Sequence, residues 1–361
     1  MNTDDHEPLD NDAIVGADGR ILLLSCERFI RDICEGDCCF VCGARPGEQV
    51  FNDEHIVPDW ILRRYDLHNK MITLPTGERR RYSGYKVPCC EPCNSHLGQT
   101  IETPVSALLD GDFATVAARL DDKGRELLFT WLCLLFLKVH LKDANVRVHL
   151  DHRKGDARVG NDYDWADLHH IHAVARTPYT RASLAPEVVG SLQVFEIAKQ
   201  TIEGDYDYLD FTDAQTMLVR LGRIGIVATL NDSTAAESVW SDRLDLIQGP
   251  ISDLQLREVA AMFANANRGL INRPVFTTYV AYKKWATIVT HRPPLLIREF
   301  DPAEFGPTLL FAVRNYVQAG AIEVDGTRDP EAVAKKISTG YVRFLTREGG
   351  EFNPPSGKDI A

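Results

Sequence analysis

The chain has no run that is apolar and long enough to cross a bilayer. The most apolar stretch, 127–137, has 11 residues and contains Thr130, which suits a buried core helix, whereas a span needs about 20 such residues. The start lacks a basic region followed by an apolar run and a small-residue cleavage site, so secretion is not expected. No internal repeat is visible. Positive charge is also scarce: 40 Lys and Arg stand against 52 Asp and Glu, a net charge of -12. That balance is awkward for a nucleic-acid enzyme, because phosphate binding usually leaves a basic footprint. The nine cysteines do not read as a disulfide framework; four of them have zinc-like spacing, which fits a reducing, cytoplasmic compartment.

What is present begins with length. A chain of 361 residues suggests two or three domains with a sizeable core, and 44% hydrophobic with 25% charged residues is ordinary for a globular protein. Two C-x-x-C pairs, Cys39/Cys42 and Cys90/Cys93, stand out. Each such turn aims two thiolates at one point, and two turns supply the four sulfurs of a tetrahedral structural zinc. Cys38 and Cys89 adjoin the pairs, but only Cys39 and Cys90 make the spacing. Gly43 permits the positive φ that a tight knuckle turn often needs. Cys26, Cys34, Cys38, Cys89 and Cys133 read as small buried hydrophobes. One zinc would close the loop 43–89, which carries Asn52-Asp53-Glu54-His55-Ile56-Val57-Pro58, and Asn94 directly follows the last ligand.

In this order the residues resemble the zinc-containing HNH, or ββα-metal, treble-clef endonucleases: C-x-x-C, an acidic residue followed by His at a strand end, then C-x-x-C-Asn opening a helix. The resemblance covers residues 39–102. It implies a metal-dependent hydrolase of DNA phosphodiester bonds leaving 5′-phosphate and 3′-hydroxyl ends, with RNA open as a second substrate. His55 would be the general base, since a neutral imidazole near pH 7 can take a proton from water. Glu54 and Asn94 would hold a catalytic Mg²⁺ or Mn²⁺ acting as a Lewis acid, where the family commonly has Asp or His in place of Glu54. Asn94 falls in the first turn of a helix, near the positive end of its dipole, and its side-chain oxygen is a hard ligand. Glu102 lies about 80° round that helix from Asn94, a supporting position. Between His55 and Thr100 seven Lys and Arg meet four Asp and Glu, so positive charge concentrates where the resemblance lies. Arg79, Arg80, Arg81 and Lys86 are the expected nucleic-acid contacts, a solvated loop being the plain alternative. The rival reading is a catalytically inactive, zinc-stabilised nucleic-acid-binding or regulatory module; its signature would be a missing base or ligand, and none is missing.

The expected fold class is α+β: a disordered acidic tail at 1–20, the zinc-binding HNH module at 21–105, an α+β domain with an antiparallel sheet at 106–348, and a loose tail at 349–361. Around the motif we expect a strand leading into a short helix over 21–33, a strand at 49–51, and an irregular loop over 66–88. Beyond it we expect helices at 112–120, 125–141, 253–265, 302–317 and 330–337. Strands are expected at 192–198, 275–280 and 340–346, with a hairpin of 216–221 and 224–230 turning at Gly222-Arg223. His169-His170-x-His172 lacks a fourth ligand at readable spacing and reads as structural. Asp205, Asp207, Asp210 and Asp213 read as one solvated face of a strand. The C-terminal domain is the expected place for self-association, a protein partner or a sensor function, an architecture that would suit an effector in bacterial defence against foreign DNA.

Overall fold

The computed structural model describes residues 13–74, 76–199 and 205–355. The chain is a mixed α+β protein with several antiparallel sheets, and among the described residues no helix is long and apolar enough to cross a membrane. It divides into two compact units. One takes the described residues up to Ala107 with Thr130–Ala185 and Phe276–Val289; the other takes Leu108–Phe129, Pro186–Val275 and the residues from Thr290 on. The single boundary expected at 105/106 is therefore only the first of several. The chain returns to the first unit because the apolar helix Asp122–Asp143 is buried without interruption from Leu128 to Leu141, and a helix apolar all round needs cover on every side.

In the first unit Ala13–Val15 pairs antiparallel with Ile21–Leu24, so part of the expected acidic tail is ordered, while residues 1–12 lie outside the described ones. After Ile21–Leu24 the chain enters the short helical stretch Cys26–Cys34, as expected for 21–33. The stretch 66–88 is more regular than a loop: Met71–Thr73 and Arg79–Arg81 form an antiparallel pair, and Lys86–Cys90 pairs with Phe51–His55.

The second unit is built on a four-stranded antiparallel sheet in the order Leu192–Glu196, Ile224–Thr229, Thr216–Leu221, Tyr206–Phe211. The two central strands join at Gly222-Arg223, with Leu221 facing Ile224; Gly222 supplies the positive φ of 60° that a two-residue hairpin turn requires. The helix Asp253–Gly269 opens on a Ser252/Gln255 capping box and buries Leu256, Val259 and Phe263 in one cluster with Leu218 and Val227 of the sheet. Pro302–Gln318 and Pro330–Ser338 add Leu309, Val313 and Ile337 to that cluster. Asp207 and Asp213 are not merely solvated, since they pair with Arg257 at 2.5 Å and Arg268 at 2.7 Å.

The strand expected at 340–346 does not form. The N–H groups of Phe344 and Leu345 donate to one oxygen of the buried Glu258 at 2.6 and 2.7 Å, so a carboxylate takes the bonds a neighbouring strand would have supplied. The stretch 349–355 of the expected loose tail is held in turn, with Thr346 bridged to Phe352 and the Asn353 carbonyl accepting from Gln255 at 2.5 Å; residues 356–361 lie outside the described ones.

Candidate metal centre and active site

The Phe51–His55 strand faces Lys86–Cys90 with Phe51 opposite Cys90, Glu54 opposite Val87 and His55 opposite Lys86. The second strand runs directly into the helix Glu91–Leu97, capped by Cys90 and carrying Pro92 in its first turn, where a missing N–H is tolerated. The other knuckle closes through Gly43 N–H to Cys39 O and Cys39 N–H to Ala44 O, both 2.8 Å, with Gly43 at φ 76°.

These two turns bring the Sγ atoms of Cys39, Cys42, Cys90 and Cys93 within 4.8 Å of one another. A tetrahedral zinc with bonds of about 2.3 Å holds its sulfurs about 3.8 Å apart, so the set fits the ion with small adjustments. The spacing rule chose Cys90 over Cys89, and the geometry agrees. Cys89 Sγ lies 3.9 Å from Cys39 Sγ but stands outside the group of four. The thiols of Cys42, Cys89 and Cys93 hydrogen-bond to Cys39 and hold it far below the ordinary range, as a thiolate. Hydrogen bonding to that thiolate pushes Cys42 up to about 12 and raises Cys93 further. A bound cation would lower these raised thiols, because metal ligation requires them deprotonated.

The first knuckle is also gripped from behind, which spacing did not reveal. Buried His172 Nε2 donates to Phe40 O at 2.9 Å. Buried Arg176 donates from Nε to Val41 O at 2.5 Å and from Nη2 to Ile21 O at 2.6 Å. Burial pushes His172 well below its ordinary value, so it is neutral and donates one proton. Of the other histidines in that run, His169 Nε2 lies 2.9 Å from Leu24 O and His170 stacks on Phe276. The three bind backbone and ring, not a shared ion.

Glu54 is where the structure departs most from expectation. Its side chain is buried, and Oε1 accepts from the ammonium of Lys138 at 2.7 Å. Lys138, itself 1% exposed, also donates to His55 O at 2.7 Å and lies 3.6 Å from Glu102 Oε1. Burial opposes the charge on Lys138, but the carboxylates of Glu54 and Glu102 outweigh it and its pKa is raised. Burial drives Glu102 up to about 7 against the pull of Lys138. Glu54 therefore already has a cation, and among the described residues it belongs to no group of three or more acidic, His or Cys side chains placed to hold a metal ion. As placed, Glu54 does not fit a divalent-ion site. A lone Lys directly after the 127–137 run was the available signal, since a charge inside a buried helix needs a buried counter-charge.

Asn94 sits in the first helical turn, its Nδ2 donating to Asn52 Oδ1 at 2.9 Å. His55 is half-buried; burial first, then the charge of Lys86, lower its pKa, so the ring is neutral at pH 7. Arg79 and Arg81 are exposed on their strand without a carboxylate partner among the described residues, whereas Arg80 is held by Glu78 at 2.8 Å.

Three outcomes follow. Metal analysis of purified protein should find about one zinc per chain, and Cys93→Ala should lose it and unfold the first unit, because such sites supply folding energy outright; unchelated protein free of zinc would contradict this. Lys138→Met should destabilise by about 3–5 kcal/mol in denaturant unfolding, the cost of leaving a buried charge without its partner. Adding Glu54→Gln should recover part of the loss. The folded value of Glu102 lies above its ordinary 4.5, so its contribution is full below that value and fades as pH rises through about 7. Glu102→Gln should flatten stability over that window.

No protein-family model, no curated protein and no solved structure matches the chain.

Proposed function

We propose that the first unit is an HNH-type endonuclease that hydrolyses DNA, with His55 as general base. The observation that carries this reading is the four-sulfur centre. It ties the Asn94 helix to the strand that ends in His55, while His55 stays neutral and only half-buried. Hydrolysis of a phosphodiester needs a water stripped of a proton, negative charge met at the phosphoryl oxygens, and a leaving 3′ oxygen. A neutral imidazole performs the first task. Lys86, opposite His55, and the exposed Arg79 and Arg81 offer positive charge for the phosphates on either side. Lys138, through His55 O and Glu54, fixes the backbone at the strand end where the imidazole must be aimed.

The Mg²⁺ or Mn²⁺ that the resemblance assigns to Glu54 and Asn94 belongs to this proposal only in part. It requires Glu54 to exchange the Lys138 ammonium for the ion, and no step of the mechanism above runs through it. The same ion pair favours a second reading, a zinc-stabilised nucleic-acid-binding module without catalysis. RNA as substrate and a role in defence stay within the proposal as extensions of the nuclease reading.

Plasmid incubation with Mg²⁺, Mn²⁺ or chelator separates the two readings. His55→Ala should keep zinc, fold and DNA affinity and lose cleavage by roughly 10²-fold or more. Glu54→Ala and Asn94→Ala should lose cleavage with partial rescue by raised Mn²⁺ if they hold the ion; failure of that rescue would remove the divalent ion from these residues. Wild-type cleavage by His55→Ala would remove the base assignment, and inert wild type on DNA and RNA would favour the binding module. Replacing Arg79 and Arg81 with Ala should weaken binding across sequences, the salt slope dropping by about 0.9 for each phosphate no longer neutralised; an unchanged slope would return them to a solvated strand.

A further inference from the structure

The second unit contains a cavity of about 270 Å³ whose charge is unlike the rest of that unit. Elsewhere the buried Arg220 and Arg257 and the half-buried Arg268 are matched by acids: Arg220 lies 3.4 Å from Asp253, Arg257 lies 2.5 Å from Asp207, and Arg268 lies 2.7 Å from Asp213. Two arginines line the cavity, Arg243 and Arg343, and neither meets a carboxylate within 4.0 Å among the described residues. Glu258 shares the lining, but its Oε2 is committed to the N–H groups of Phe344 and Leu345. Nη1 of Arg343 is used on the carbonyls of Gly340 and Val342, both at 2.8 Å, which among the described residues leaves Nε and Nη2 without hydrogen bonds. Among the same residues Arg243 makes one long contact, 3.4 Å to Thr346 Oγ1. Burial first opposes the charge on Arg343, the Glu258 carboxylate supports it and Arg243 opposes it; two guanidiniums against one carboxylate, each with unused donors at one cavity, are an arrangement that an anion would relieve.

Much of the remaining wall is aromatic, with Met262, Leu345 and Thr346 completing it. Arg343 lies over Phe305 at 4.9 Å and Phe300 at 5.7 Å, and Trp240 meets Phe300 edge-on at 5.8 Å. The indole is anchored by its Nε1–H to Met262 O at 2.9 Å, while Phe300 is 37% exposed at the cavity mouth. A preformed apolar cavity with a few convergent polar groups is the usual form of a small-molecule site. We propose that this cavity binds a small organic anion bearing a planar ring, the ring against Trp240 and Phe300 and the anionic group on Arg243 and Arg343. The volume limits the ligand to one ring system with one anionic group, and the guanidinium fork suits phosphate or carboxylate equally.

Calorimetric titration of the full chain tests this with phenyl phosphate and 1-naphthyl phosphate as ring phosphates, indole-3-acetate and salicylate as ring carboxylates, and inorganic phosphate as the ringless anion. At least one ring-bearing probe should bind one-to-one below about 1 mM, and more tightly than inorganic phosphate. Which pair binds identifies the anionic group. Arg243→Gln, at a half-exposed position, should keep the melting temperature and weaken binding by about tenfold or more, since a hydrogen bond to a charged group is worth about 1.5–3 kcal/mol. Arg343→Gln should do the same, with near-UV circular dichroism reporting whether its loss also loosens the tilted Phe300–Phe305 pair, whose ring centroids lie 5.5 Å apart. The proposal is overturned if no ring-bearing probe binds, if phosphate alone binds as tightly, or if Arg243→Gln leaves affinity unchanged.

Discussion

The first unit depends on four sulfurs meeting at one point. Cys39 and Cys42 sit on one turn, Cys90 and Cys93 on another, and between them the chain runs through two strand pairs and a short helix. With a metal in place those intervening elements are tied at both ends, and what the loop presents is fixed relative to the helix that carries Asn94. Without it, hydrogen bonding to the Cys39 thiolate raises Cys42 and Cys93, so the two turns meet through thiols that resist ionising. Metal binding and folding are then one event. The carbonyls of Phe40 and Val41 are pinned by His172 and Arg176, so the knuckle is set from the far side as well.

A second constraint is that charge taken into this core must be matched there. Lys138 enters on a helix with no exposed residue from Leu128 to Leu141, and an ammonium that deep stays only with carboxylates beside it. Glu54 and Glu102 are those carboxylates, and the raised value of Glu102 keeps the group of three near neutrality around pH 7. The pairing bears directly on chemistry, because the residue that resemblance assigns to a divalent ion is the one that neutralises the lysine. Lys138 also holds the carbonyl of His55, so the same contact orients the strand end. In the proposed nuclease, then, Lys138 would help aim the base, and the charge on the phosphate would have to be met by groups other than Glu54.

Much of this was legible in the sequence where the signal is local. C-x-x-C spacing named the four sulfurs and rejected Cys38 and Cys89, because a two-residue gap is a property of one turn. The hairpin at Gly222-Arg223 was visible because its turn chemistry and its alternating strands lie within 15 residues of each other. What escaped depends on pairing across distance. Lys138 and Glu54 are separated by 84 positions, and His172 reaches Phe40 across 132; no window shows either. The 340–346 stretch has strand composition, yet its N–H groups go to Glu258, which stands 86 positions before Phe344. The division into units differs from the expected single boundary for the same reason, since 130–185 belongs to the unit that holds the four-cysteine cluster through burial and not through sequence neighbours.

The pH dependence of DNA cleavage by the zinc-loaded wild-type chain tests the central claim most directly. If the depressed imidazole of His55 is the base, cleavage should rise as pH increases through a midpoint below the ordinary His value of about 6.5 and then level off, because the ring is unprotonated above that point. Replacing Lys86 with Met removes a neighbouring positive charge and should move that midpoint upward. Absence of cleavage at every pH, with DNA or RNA and with Mg²⁺ or Mn²⁺ supplied, would contradict the account.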